Sequence, residues 1–424
     1  MHEVRIDGLG AGGDGVGRLD DGQVIFIPGA FPGDRVRVAV ESARKKVVFG
    51  RLLNVVERSA DRVESRCKAS QCGGCASKGL ALAAQGHWKR QRLVDNLKKI
   101  AHVDAEAWLG GIWQFGDGWR YRHRVRLQAR WRSQRWQLGY HRRRSHDLVP
   151  LRDCPVLWPE LEQICLRLGS AVAALPADIA LQDVEVVYSR RDASAAARVR
   201  LRGGLAAMRP HVEPLAQHAG LRGVEVVGEH ERLRHGKLEL RYDHPRADAF
   251  DLLFEPGTFT QAHPEANARL VESVMHWVQP QNGARVLELH AGVGNFSLPL
   301  ARAGAHLTAV ESAPRAAILG RRNVRHCGLA SEFRQQADVE AAMDAGAYEC
   351  VVLDPPRGGA RAAVERLAAA RPPRVVYISC DAATLARDAA LLCAAGYSIS
   401  GAECFDLFPQ TPHVESLWVF ELGR

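Results

Sequence analysis

The stretch Arg374-Val375-Val376-Tyr377-Ile378-Ser379-Cys380 decides the fold of the C-terminal part of this chain. It is short, rich in β-branched residues and preceded by two prolines, which is typical of a buried parallel strand. Cys380 follows the carboxyl end of this strand, where open α/β sheets bind their ligands. A helix is predicted from Asp381 onward, and the positive potential of its N-terminus would favour a thiolate at Cys380. Cys380 is therefore either a small buried thiol or a nucleophile.

The residues before this strand repeat the same strand-then-helix pattern. Residues 285–289 form a predicted strand that runs into a turn containing Gly292 and Gly294, and the next strand, 306–310, ends at Glu311. Such a turn lets backbone approach a cofactor closely, and an acidic residue at this place binds ribose hydroxyls. NAD and S-adenosylmethionine both fit, and the missing third glycine of the dinucleotide fingerprint favours the methyl donor. We therefore predict a Rossmann-like α/β domain over residues 256–424.

Two further loops complete the predicted pocket. Asp354-Pro355-Pro356-Arg357 follows a strand at 349–353, and its prolines stiffen the loop at the carboxyl edge of the sheet. Acid-Pro-Pro loops are typical of methyltransferases that act on a planar nitrogen or a ring carbon. Residues 397–408 and 416–422 are predicted to form an antiparallel hairpin, whose connection brings Glu415 to the mouth of the same pocket.

A cysteine and a glutamate in one pocket with a methyl donor suit the methylation of uracil at C5. A thiolate that adds to C6 makes C5 nucleophilic enough to accept a methyl group, and a base then removes the C5 proton so that the thiol is eliminated. Cys380 would be the nucleophile and Glu415 the base. A uracil within folded RNA must also be unstacked and turned into the site.

Composition places the chain among globular proteins with an anionic partner. Its 424 residues suggest two or three domains, and 46% hydrophobic and 25% charged residues allow large cores. The net charge of +9 favours a nucleic acid as partner. The N-terminus lacks a signal-peptide pattern and no apolar run approaches the length of a membrane span, so we expect a cytoplasmic protein. Nothing in the sequence demands an oligomer, and we expect a monomer.

Residues 1–58 read as a small β-barrel. Four or five short runs of alternating hydrophobicity are separated by glycine-rich turns, as a closed barrel requires. Val36, Val38 and Val40 share one face of such a strand, and the surface is basic. An oligonucleotide-binding (OB-like) barrel and a purely structural barrel both fit this pattern, and the positive charge favours the first.

Three cysteines follow the barrel within nine residues. Cys67, Cys72 and Cys75 are grouped around Gly73-Gly74, which lets the backbone turn so that the sulfurs face one centre. Cys154, followed by proline, is the best candidate for a fourth ligand. Four thiolates suit an iron–sulfur cluster or zinc, and the spacing does not separate the two. The remaining alternative is a set of reduced cysteines without a ligand.

The region 59–255 is predicted to be a mixed α+β domain with basic strands. From residue 119 to residue 152 there are eleven arginines and one acidic residue. Strict alternation would put Arg120, Arg122, Arg124 and Arg126 on one face of a strand, and Arg142-Arg143-Arg144 forms a second basic group in a loop. Because tryptophans and tyrosines are interleaved with these arginines, the pattern favours contact with RNA or DNA over a merely solvated face.

At this point the chain resembles the RNA uracil-5 methyltransferases along nearly its whole length. It is most similar to their 23S ribosomal RNA branch, which carries a TRAM domain and a [4Fe-4S] cluster, and residues 8–29 resemble that TRAM domain. The other matching motifs are Cys72-Gly73-Gly74-Cys75, Phe259-Thr260-Gln261, Gly292-Val293-Gly294-Asn295-Phe296-Ser297-Leu298, Asp354-Pro355-Pro356-Arg357, Ser379-Cys380 and His413-Val414-Glu415-Ser416.

The resemblance implies a set of roles for residues of this chain. It implies Cys380 as nucleophile, Glu415 as base and RNA, most simply 23S rRNA, as substrate. Contacts with S-adenosylmethionine or the pocket are implied for Gln261, His290, Gly292, Gly294, Asn295, Glu311, Asp338 and Asp354. Ligands of a [4Fe-4S] cluster would be Cys67, Cys72, Cys75 and Cys154.

The chain also departs from the family pattern. His290-Ala291 stands where the family usually has an aromatic residue and a cysteine, and the spacing from Cys67 to Cys72 is one residue shorter than usual. Asp381-Ala382 replaces the usual Asn-Pro after the nucleophile. The negative charge of Asp381 predicts a higher pKa for Cys380.

Three other functions remain open at this stage. A uridine-5 methyltransferase acting on transfer RNA would carry the same pocket. An RNA amino-methyltransferase would use the Asp354 loop but would need neither Cys380 nor Glu415. A non-catalytic RNA-binding factor would bind RNA without binding the methyl donor.

Overall fold

The five N-terminal strands close into a barrel in the computed structural model, which describes residues 1–44, 47–243, 251–336 and 348–423. Val36 and Val38 are buried in its core, while the arginines that alternate with them are exposed. The predicted barrel is thus confirmed. In spatial order β1-β2-β3-β5-β4, its strands are β1 His2–Leu9, β2 Gly15–Arg18, β3 Val24–Ile27, β4 Arg35–Arg44 and β5 Val47–Glu57.

The next segment ties the barrel to the C-terminal sheet. Helix α1, Leu82–Asn96, continues as a π-helical turn over Leu97–Ala101. After a 3-10 turn at Ala105–Ala107, strand β6, Leu109–Trp113, pairs in parallel with a strand near the C-terminus. Part of the region 59–255 therefore completes the edge of the C-terminal sheet.

A seven-stranded sheet forms the middle of the chain. Its order is β13-β12-β11-β10-β7-β8-β9, and only β11 and β12 run parallel among the paired neighbours. Helices α2 and α3 cover one face and share a hydrophobic core with it. The elements are β7 Arg124–Arg132, β8 Arg135–His141, β9 Leu148–Pro150, α2 Pro159–Ala173, β10 Leu181–Ser189, β11 Ser194–Leu201, a 3-10 turn Arg209–His211, α3 Val212–Ala219, β12 Gly223–Val227 and β13 Arg232–Gly236, followed by the two-stranded ladder of β14 Leu240–Arg241 with β15 Leu253–Phe254.

The C-terminal residues form the predicted α/β domain around an eight-stranded sheet. Its order is β18-β17-β16-β19-β20-β22-β21-β6, with the first five strands parallel and β22 antiparallel to both of its neighbours. The elements are α4 Pro264–Val278, β16 Arg285–Leu289, α5 Ser297–Arg302, β17 His306–Glu311, α6 Pro314–His326, β18 Glu332–Gln335, β19 Cys350–Leu353, α7 Arg361–Ala370, β20 Arg374–Ser379, α8 Ala382–Ala394, β21 Tyr397–Phe405 and β22 Glu415–Leu422.

Helices cover both faces of this sheet. Side chains of α4, α5 and α6 form one core with it, and those of α1, α7 and α8 form a second core on the other face. Strands such as β20 are therefore buried on both sides, which explains why they read as continuous apolar runs rather than as alternating patterns. In the part of the chain that the structure describes, no helix has the apolar length needed to cross a membrane.

A buried ion pair joins α1 to the loop between β21 and β22. The side chains of Lys89 and Asp406 are 4% and 0% exposed, and the ammonium group contacts the carboxylate directly. Lys89 Nζ also donates to the carbonyl oxygen of Phe408 (3.1 Å), while Gln114 donates to the second carboxylate oxygen of Asp406 (3.2 Å). Burial lowers the pKa of Lys89, and the charge of Asp406 opposes that effect.

Removing one partner of this pair should destabilise the protein strongly. Asp406→Ala leaves the charge of Lys89 buried without its counter-ion, so we expect the free energy of unfolding to fall by about 3–5 kcal/mol. Glu64→Ala, which breaks the exposed Glu64–Lys68 pair, is the control and should cost less than about 1 kcal/mol. Urea unfolding measures both variants. Equal, small shifts in the two midpoints would contradict a structural role for the buried pair.

Candidate active site and nucleic-acid interface

The antiparallel pairing of β20 with β22 brings the two predicted reactive residues together. The ladder ends with Ser379 opposite Ser416, and the hydroxyl of Ser416 donates to the carbonyl oxygen of Ser379 (3.3 Å). Cys380 directly follows the last residue of β20, and Glu415 is the first residue of β22, so both flank the end of this ladder. The two groups are close enough for the charge of Glu415 to act on the Cys380 thiol.

The thiol of Cys380 holds its proton in this environment. Burial raises the pKa of Cys380 to about 12, and the charges of Glu415 and Asp354 add to the effect, while Arg357 opposes it. The prediction that the helix N-terminus would favour a thiolate is therefore wrong for the free protein. Burial and the neighbouring carboxylates outweigh the helix potential.

Asp381, at the position where the family pattern has asparagine, is the N-cap residue of helix α8. Its carboxylate accepts hydrogen bonds from the backbone N–H groups of Ala383 and Thr384 (3.0 Å each) and so caps helix α8. Asp and Asn are equally good N-cap residues, which means that the cap is kept and a negative charge is added. That charge contributes to the raised pKa of Cys380, as predicted.

Glu415 is buried and Asp354 is half-buried, and the two carboxyl groups interact. Burial raises the pKa of Asp354 to about 7. It also raises the pKa of Glu415 well above the ordinary value, and the charge of Asp354 raises it further. Two carboxylates in one buried site resist ionising together, so the pair retains a proton near neutral pH.

Arg357 is the cation of this site. Its charge lowers the pKa values of both Cys380 and Glu415. The guanidinium lies 3.1 Å from Nε2 of His413. Burial, together with the charge of Arg357, lowers the pKa of His413 to about 4, so the imidazole is neutral and accepts this hydrogen bond.

The predicted cofactor residues lie along the carboxyl edge of the sheet. Leu289 of β16 is aligned with Leu353 of β19, so His290 and Asp354 emerge from the sheet side by side. Glu311 ends the neighbouring strand β17. Ligands of open α/β sheets bind at this edge.

The glycine turn after β16 forms a cradle at the same edge. Gly292 and Gly294 have φ values of 58° and 102°, which favour glycine, and a Cβ atom added to Gly292 would enter open space. The N–H group of Gly292 donates to Oε2 of Glu311 (2.8 Å). Glu311 thereby fixes the turn and lies beside the open space, in the place predicted for a ribose-binding carboxylate.

Gln261 presents an unsatisfied polar atom to the site. The residue is 4% exposed, and among the described residues its side-chain oxygen has no hydrogen-bond partner. Its backbone carbonyl accepts hydrogen bonds from the hydroxyl of Tyr242 (2.8 Å) and from Nε2 of His123 (3.0 Å). A buried acceptor without a donor fits a site that a ligand completes. Sequence reasoning missed Tyr242 and His123, because each acts from another element.

Asn295 pairs with another side-chain amide of the protein. Its side-chain amide exchanges two hydrogen bonds with the amide of Asn267 on α4, at 2.8 and 2.9 Å. The pair fastens the glycine turn to α4. Nothing in the sequence around Asn267 indicated this partner. The remaining predicted residue, Asp338, lies outside the described residues.

The four predicted metal-ligating cysteines line one small pocket. Cys67, Cys72, Cys75 and Cys154 surround it together with Lys78, Arg122 and Tyr140. Three of the sulfurs have polar neighbours. The N–H group of Gly74 donates to the sulfur of Cys72 (3.4 Å), and the ammonium group of Lys78 lies 3.6 Å from the sulfur of Cys67. The hydroxyl of Tyr140 lies 3.7 Å from the sulfur of Cys154. Hydrogen bonds to sulfur and nearby cations suit thiolates that carry negative charge.

These cysteines do not converge on the position of a single ion. Across the described ranges, no group of three or more His, Cys, Asp or Glu side chains is placed to hold one metal ion. In a polynuclear cluster each cysteine binds a different iron atom, so its sulfurs lie farther apart than the four sulfurs around one zinc ion. Cysteine thiolates are ligands that both an iron–sulfur cluster and zinc accept.

A basic groove of about 830 Å³ leads to Arg357 and His413. Its walls come from the barrel turn that contains Gly12 and Asp14, the cysteine loop, residues 140–146 and the segment 408–413. Five arginines line the groove against one carboxylate, that of Asp14. The groove therefore suits a polyanion.

The basic loop between β8 and β9 also joins the parts of the chain. Arg143 and Arg144 both pair with Asp14 of the barrel, and the guanidinium of Arg142 donates to Gln71 in the cysteine loop. The loop predicted as a basic contact surface thus holds the barrel and the cysteine loop in place at the groove.

The predicted arginine face around residue 124 has a different role. Arg120 has a φ of 53°, and the strand begins only at Arg124, so strict alternation from residue 120 does not hold. Three of the four arginines make internal ion pairs: Arg120 with Glu162, Arg124 with Glu185 and Arg126 with Asp183. Only Arg122 lines the groove. The predicted alternation from residue 120 is therefore wrong, and the charges of Arg120, Arg124 and Arg126 are matched within the protein.

Comparison with family models assigns most of the chain. A model described as tRNA (Uracil-5-)-methyltransferase matches residues 246–421, and a model of the TRAM domain matches residues 2–53. The first match covers the sheet that carries Cys380 and Glu415, and the second covers the barrel up to β5.

Relatives of similar length carry one name. The protein named 23S rRNA (uracil(1939)-C(5))-methyltransferase RlmD of Shewanella woodyi is 33% identical over 434 residues, which cover 100% of this chain and 96% of the relative. The protein of the same name from Halomonas elongata is 36% identical over 445 residues, covering 99% of this chain and 89% of the relative.

A solved structure has the same fold over the whole chain. The crystal structure of the Pyrococcus abyssi tRNA (uracil-54, C5)-methyltransferase in complex with S-adenosyl-L-homocysteine superposes with a TM-score of 0.76. It is 23% identical and covers 99% of both chains. The likeness therefore extends to barrel, central sheet and C-terminal sheet.

The charge of Asp381 can be tested directly at the thiol. Asp381→Asn keeps the helix cap and removes one negative charge beside Cys380, so the pKa of the thiol should fall. Below that pKa, alkylation follows the thiolate fraction, and we expect the rate at Cys380 to rise about two- to fivefold at fixed pH. Iodoacetamide labelling with mass spectrometry of the Cys380 peptide measures it. Unchanged labelling would show that this charge does not reach the thiol.

Proposed function

This chain belongs to the RNA uracil-5 methyltransferases, and we propose that it methylates C5 of a uridine in 23S ribosomal RNA with S-adenosylmethionine as donor. The observation that carries the proposal is that Cys380 and Glu415 flank the end of the β20–β22 ladder at the carboxyl edge of the parallel strands, where the charge of Glu415 acts on the thiol. Full-length relatives named for uracil 1939 of 23S rRNA support that RNA and that position.

The first step is addition of the Cys380 sulfur to C6 of the uracil. The thiol must lose its proton first, which its raised pKa opposes, and the Asp354 carboxylate, whose charge acts on Cys380, would accept that proton. Addition moves electron density to C5 and to the C4 oxygen, and the charge of Arg357, which lowers the pKa of Cys380, would help to stabilise the negative charge that develops.

The methyl donor would bind along the open edge beside the glycine turn. Gly292, Gly294, Glu311 and Gln261 fit such a ligand, because they provide a free cradle, a carboxylate and an unsatisfied acceptor. S-adenosylmethionine supplies the methyl group that C5 accepts. Asp354, with a pKa of about 7, is able to donate or accept a hydrogen bond at the pyrimidine edge.

Glu415 would complete the reaction as the base. Its carboxylate takes the proton from C5, the C5–H electron pair forms the C5=C6 double bond, and the C6–S bond breaks with release of the Cys380 thiolate. The raised pKa of Glu415 makes it a stronger base than an exposed glutamate. Nucleophile and base are separate groups, as this chemistry requires.

RNA would reach the pocket through the basic groove. The groove lies between the TRAM barrel, the cysteine loop and the segment that leads to Glu415. It is large enough for nucleotides that flank an unstacked uridine, and its arginines can contact their phosphates. The division into a barrel at 1–58, a central domain at 59–255 and a methyltransferase domain at 256–424 remains our proposal.

The cysteine pocket would hold a [4Fe-4S] cluster. Its ligands would be Cys67, Cys72, Cys75 and Cys154, which line one pocket. Because Arg122 lines both this pocket and the groove, the cluster would lie directly behind the RNA-binding surface.

The methylated base tests the proposed reaction. Purified protein, labelled S-adenosylmethionine and 23S rRNA from cells that lack this gene should give label in 5-methyluridine after digestion to nucleosides. Cys380→Ala should abolish the label. Glu415→Gln should transfer the methyl group yet slow product release by at least about 100-fold, leaving RNA bound in a complex stable to denaturing gels. Label in an N-methylated base would contradict the proposal.

A parallel reaction with transfer RNA decides between the two RNA classes. The solved structure with the same fold acts on transfer RNA, as its name states. We expect label in 23S rRNA and none in transfer RNA from the same cells. Label in transfer RNA alone would retain the chemistry and overturn the proposed substrate.

Metal content tests the proposed cluster. Protein purified without oxygen should contain about four iron and four acid-labile sulfide atoms per chain. Cys75→Ala should lose most of both, whereas Cys393→Ala, outside the cysteine pocket, should retain them. One zinc atom per chain, or no metal with correctly folded protein, would contradict the cluster.

A further inference from the structure

The segment 406–414, which leads into Glu415, is held by residues outside its own sheet. Lys89 donates to the carbonyl oxygen of Phe408 (3.1 Å). The hydroxyl of Tyr121 donates to the carbonyl oxygen of Pro409 (3.0 Å). Arg92 donates to the carbonyl of Pro412. The path of the chain before Glu415 is therefore set by helix α1 and by the residues before β7.

Gln410 is the centre of these contacts. It is 2% exposed and has a φ of 70°, which few residues other than glycine adopt. Its backbone N–H donates to the side-chain oxygen of Gln85 (2.8 Å). In return, the side-chain NH2 group of Gln85 donates to the side-chain oxygen of Gln410 (3.1 Å). The Gln410 amide also donates to the carbonyl of Gly118 (3.2 Å).

The end of the cysteine loop also contacts Gln410. The backbone N–H of Ser77 donates to the carbonyl of Gln410 (2.9 Å), and Ser77 lies two residues after Cys75. Three separate parts of the chain thus meet at Gln410: the cysteine loop, helix α1 and the turn before Trp119. None of them belongs to the strands that carry Cys380 and Glu415.

We propose that Gln410 is a positioning residue for Glu415, holding the segment 406–414 so that the carboxylate reaches the C5 proton. This inference rests on the proposed function and adds a residue to it. A backbone conformation with positive φ persists where surrounding contacts fix it, and here Gln85, Gly118 and Ser77 supply those contacts. Cys380 follows β20, whereas the segment 406–414 leads directly into Glu415, so loosening this segment should affect the base more than the nucleophile.

Only the elimination step depends on the position of Glu415. Addition of Cys380 to C6 and methylation at C5 precede any action of Glu415. Elimination alone requires the glutamate: the C5 proton moves to its carboxylate, the C5–H electron pair forms the C5=C6 bond, and the C6–S bond breaks with the thiolate as leaving group. Loosening the segment should therefore slow elimination and leave addition unchanged.

Two variants remove the contacts from opposite sides. Gln410→Gly accepts the positive φ without strain and removes the side-chain hydrogen bonds. Gln85→Ala removes, from α1, the bond to the Gln410 amide oxygen and the acceptor of the Gln410 N–H group, so the two variants share one lost hydrogen bond. Gln85→Glu keeps the acceptor for the Gln410 N–H group. Gln279→Gly is the matched control, since Gln279 also has a positive φ (46°) but caps helix α4 away from this segment.

Single-turnover reactions of the whole protein with 23S rRNA separate the steps. Methyl transfer is followed by label in RNA, and elimination by the decay of the complex that survives denaturing gels. We expect Gln410→Gly and Gln85→Ala to transfer methyl at the wild-type rate and to release RNA roughly tenfold more slowly. The double variant should be slowed by less than the product of the two single effects, because both single variants remove the side-chain bond between Gln85 and Gln410. Gln85→Glu should recover part of the loss, and Gln279→Gly should match wild type.

The outcomes separate this inference from the function on which it rests. Equal slowing of methyl transfer and release, or additive effects in the double variant, would indicate general loosening and overturn the positioning role. Wild-type release in both single variants would also overturn it. If Cys380→Ala still formed 5-methyluridine, the proposed function itself would fail, whatever the Gln410 variants did.

Discussion

The register between β20 and β22 is the constraint on which this site depends. Ser379 lies opposite Ser416, so Cys380 and Glu415 flank the end of the ladder. A shift of one residue would turn one of the two side chains to the other face of the sheet. The register is fixed by burial on both faces, since Tyr377, Trp418 and their neighbours belong to a core packed beneath α8. Packing far from the reacting atoms thereby sets their separation.

The same burial controls the reactivity of the site. The thiol and both carboxyl groups have raised pKa values, so the free protein holds a protonated, poorly nucleophilic cysteine beside carboxyl groups that retain a proton. A protonated thiol also resists oxidation. Arg357 is the charge that opposes this state, and it lies at the inner end of the basic groove. Substrate binding and activation of the thiol are therefore expected to occur at one place.

Sequence reasoning reached the elements whose signals are local. The buried strands at 285–289 and 374–379 read correctly because an apolar run bounded by turn residues has few alternative structures, and the hairpin placed Glu415 beside Cys380. It failed where partners come from distant positions. Arg126 looked free because Asp183 lies in another strand, β6 joined a sheet nearly 300 residues away, and Asn267 gave no sign of its pairing with Asn295. At Cys380 the helix potential was visible in the sequence, whereas the stronger effect of burial required the fold.

The central claim is that Cys380 and Glu415 act on the two ends of one C5=C6 bond. The most direct test uses RNA that contains 5-fluorouridine, because fluorine at C5 replaces the proton that Glu415 must remove, and the adduct persists. Peptide mapping of the trapped complex by mass spectrometry should find the nucleotide attached to Cys380 and carrying one added methyl group. Attachment to another cysteine, or a methylated base without any covalent adduct, would contradict this account of the site.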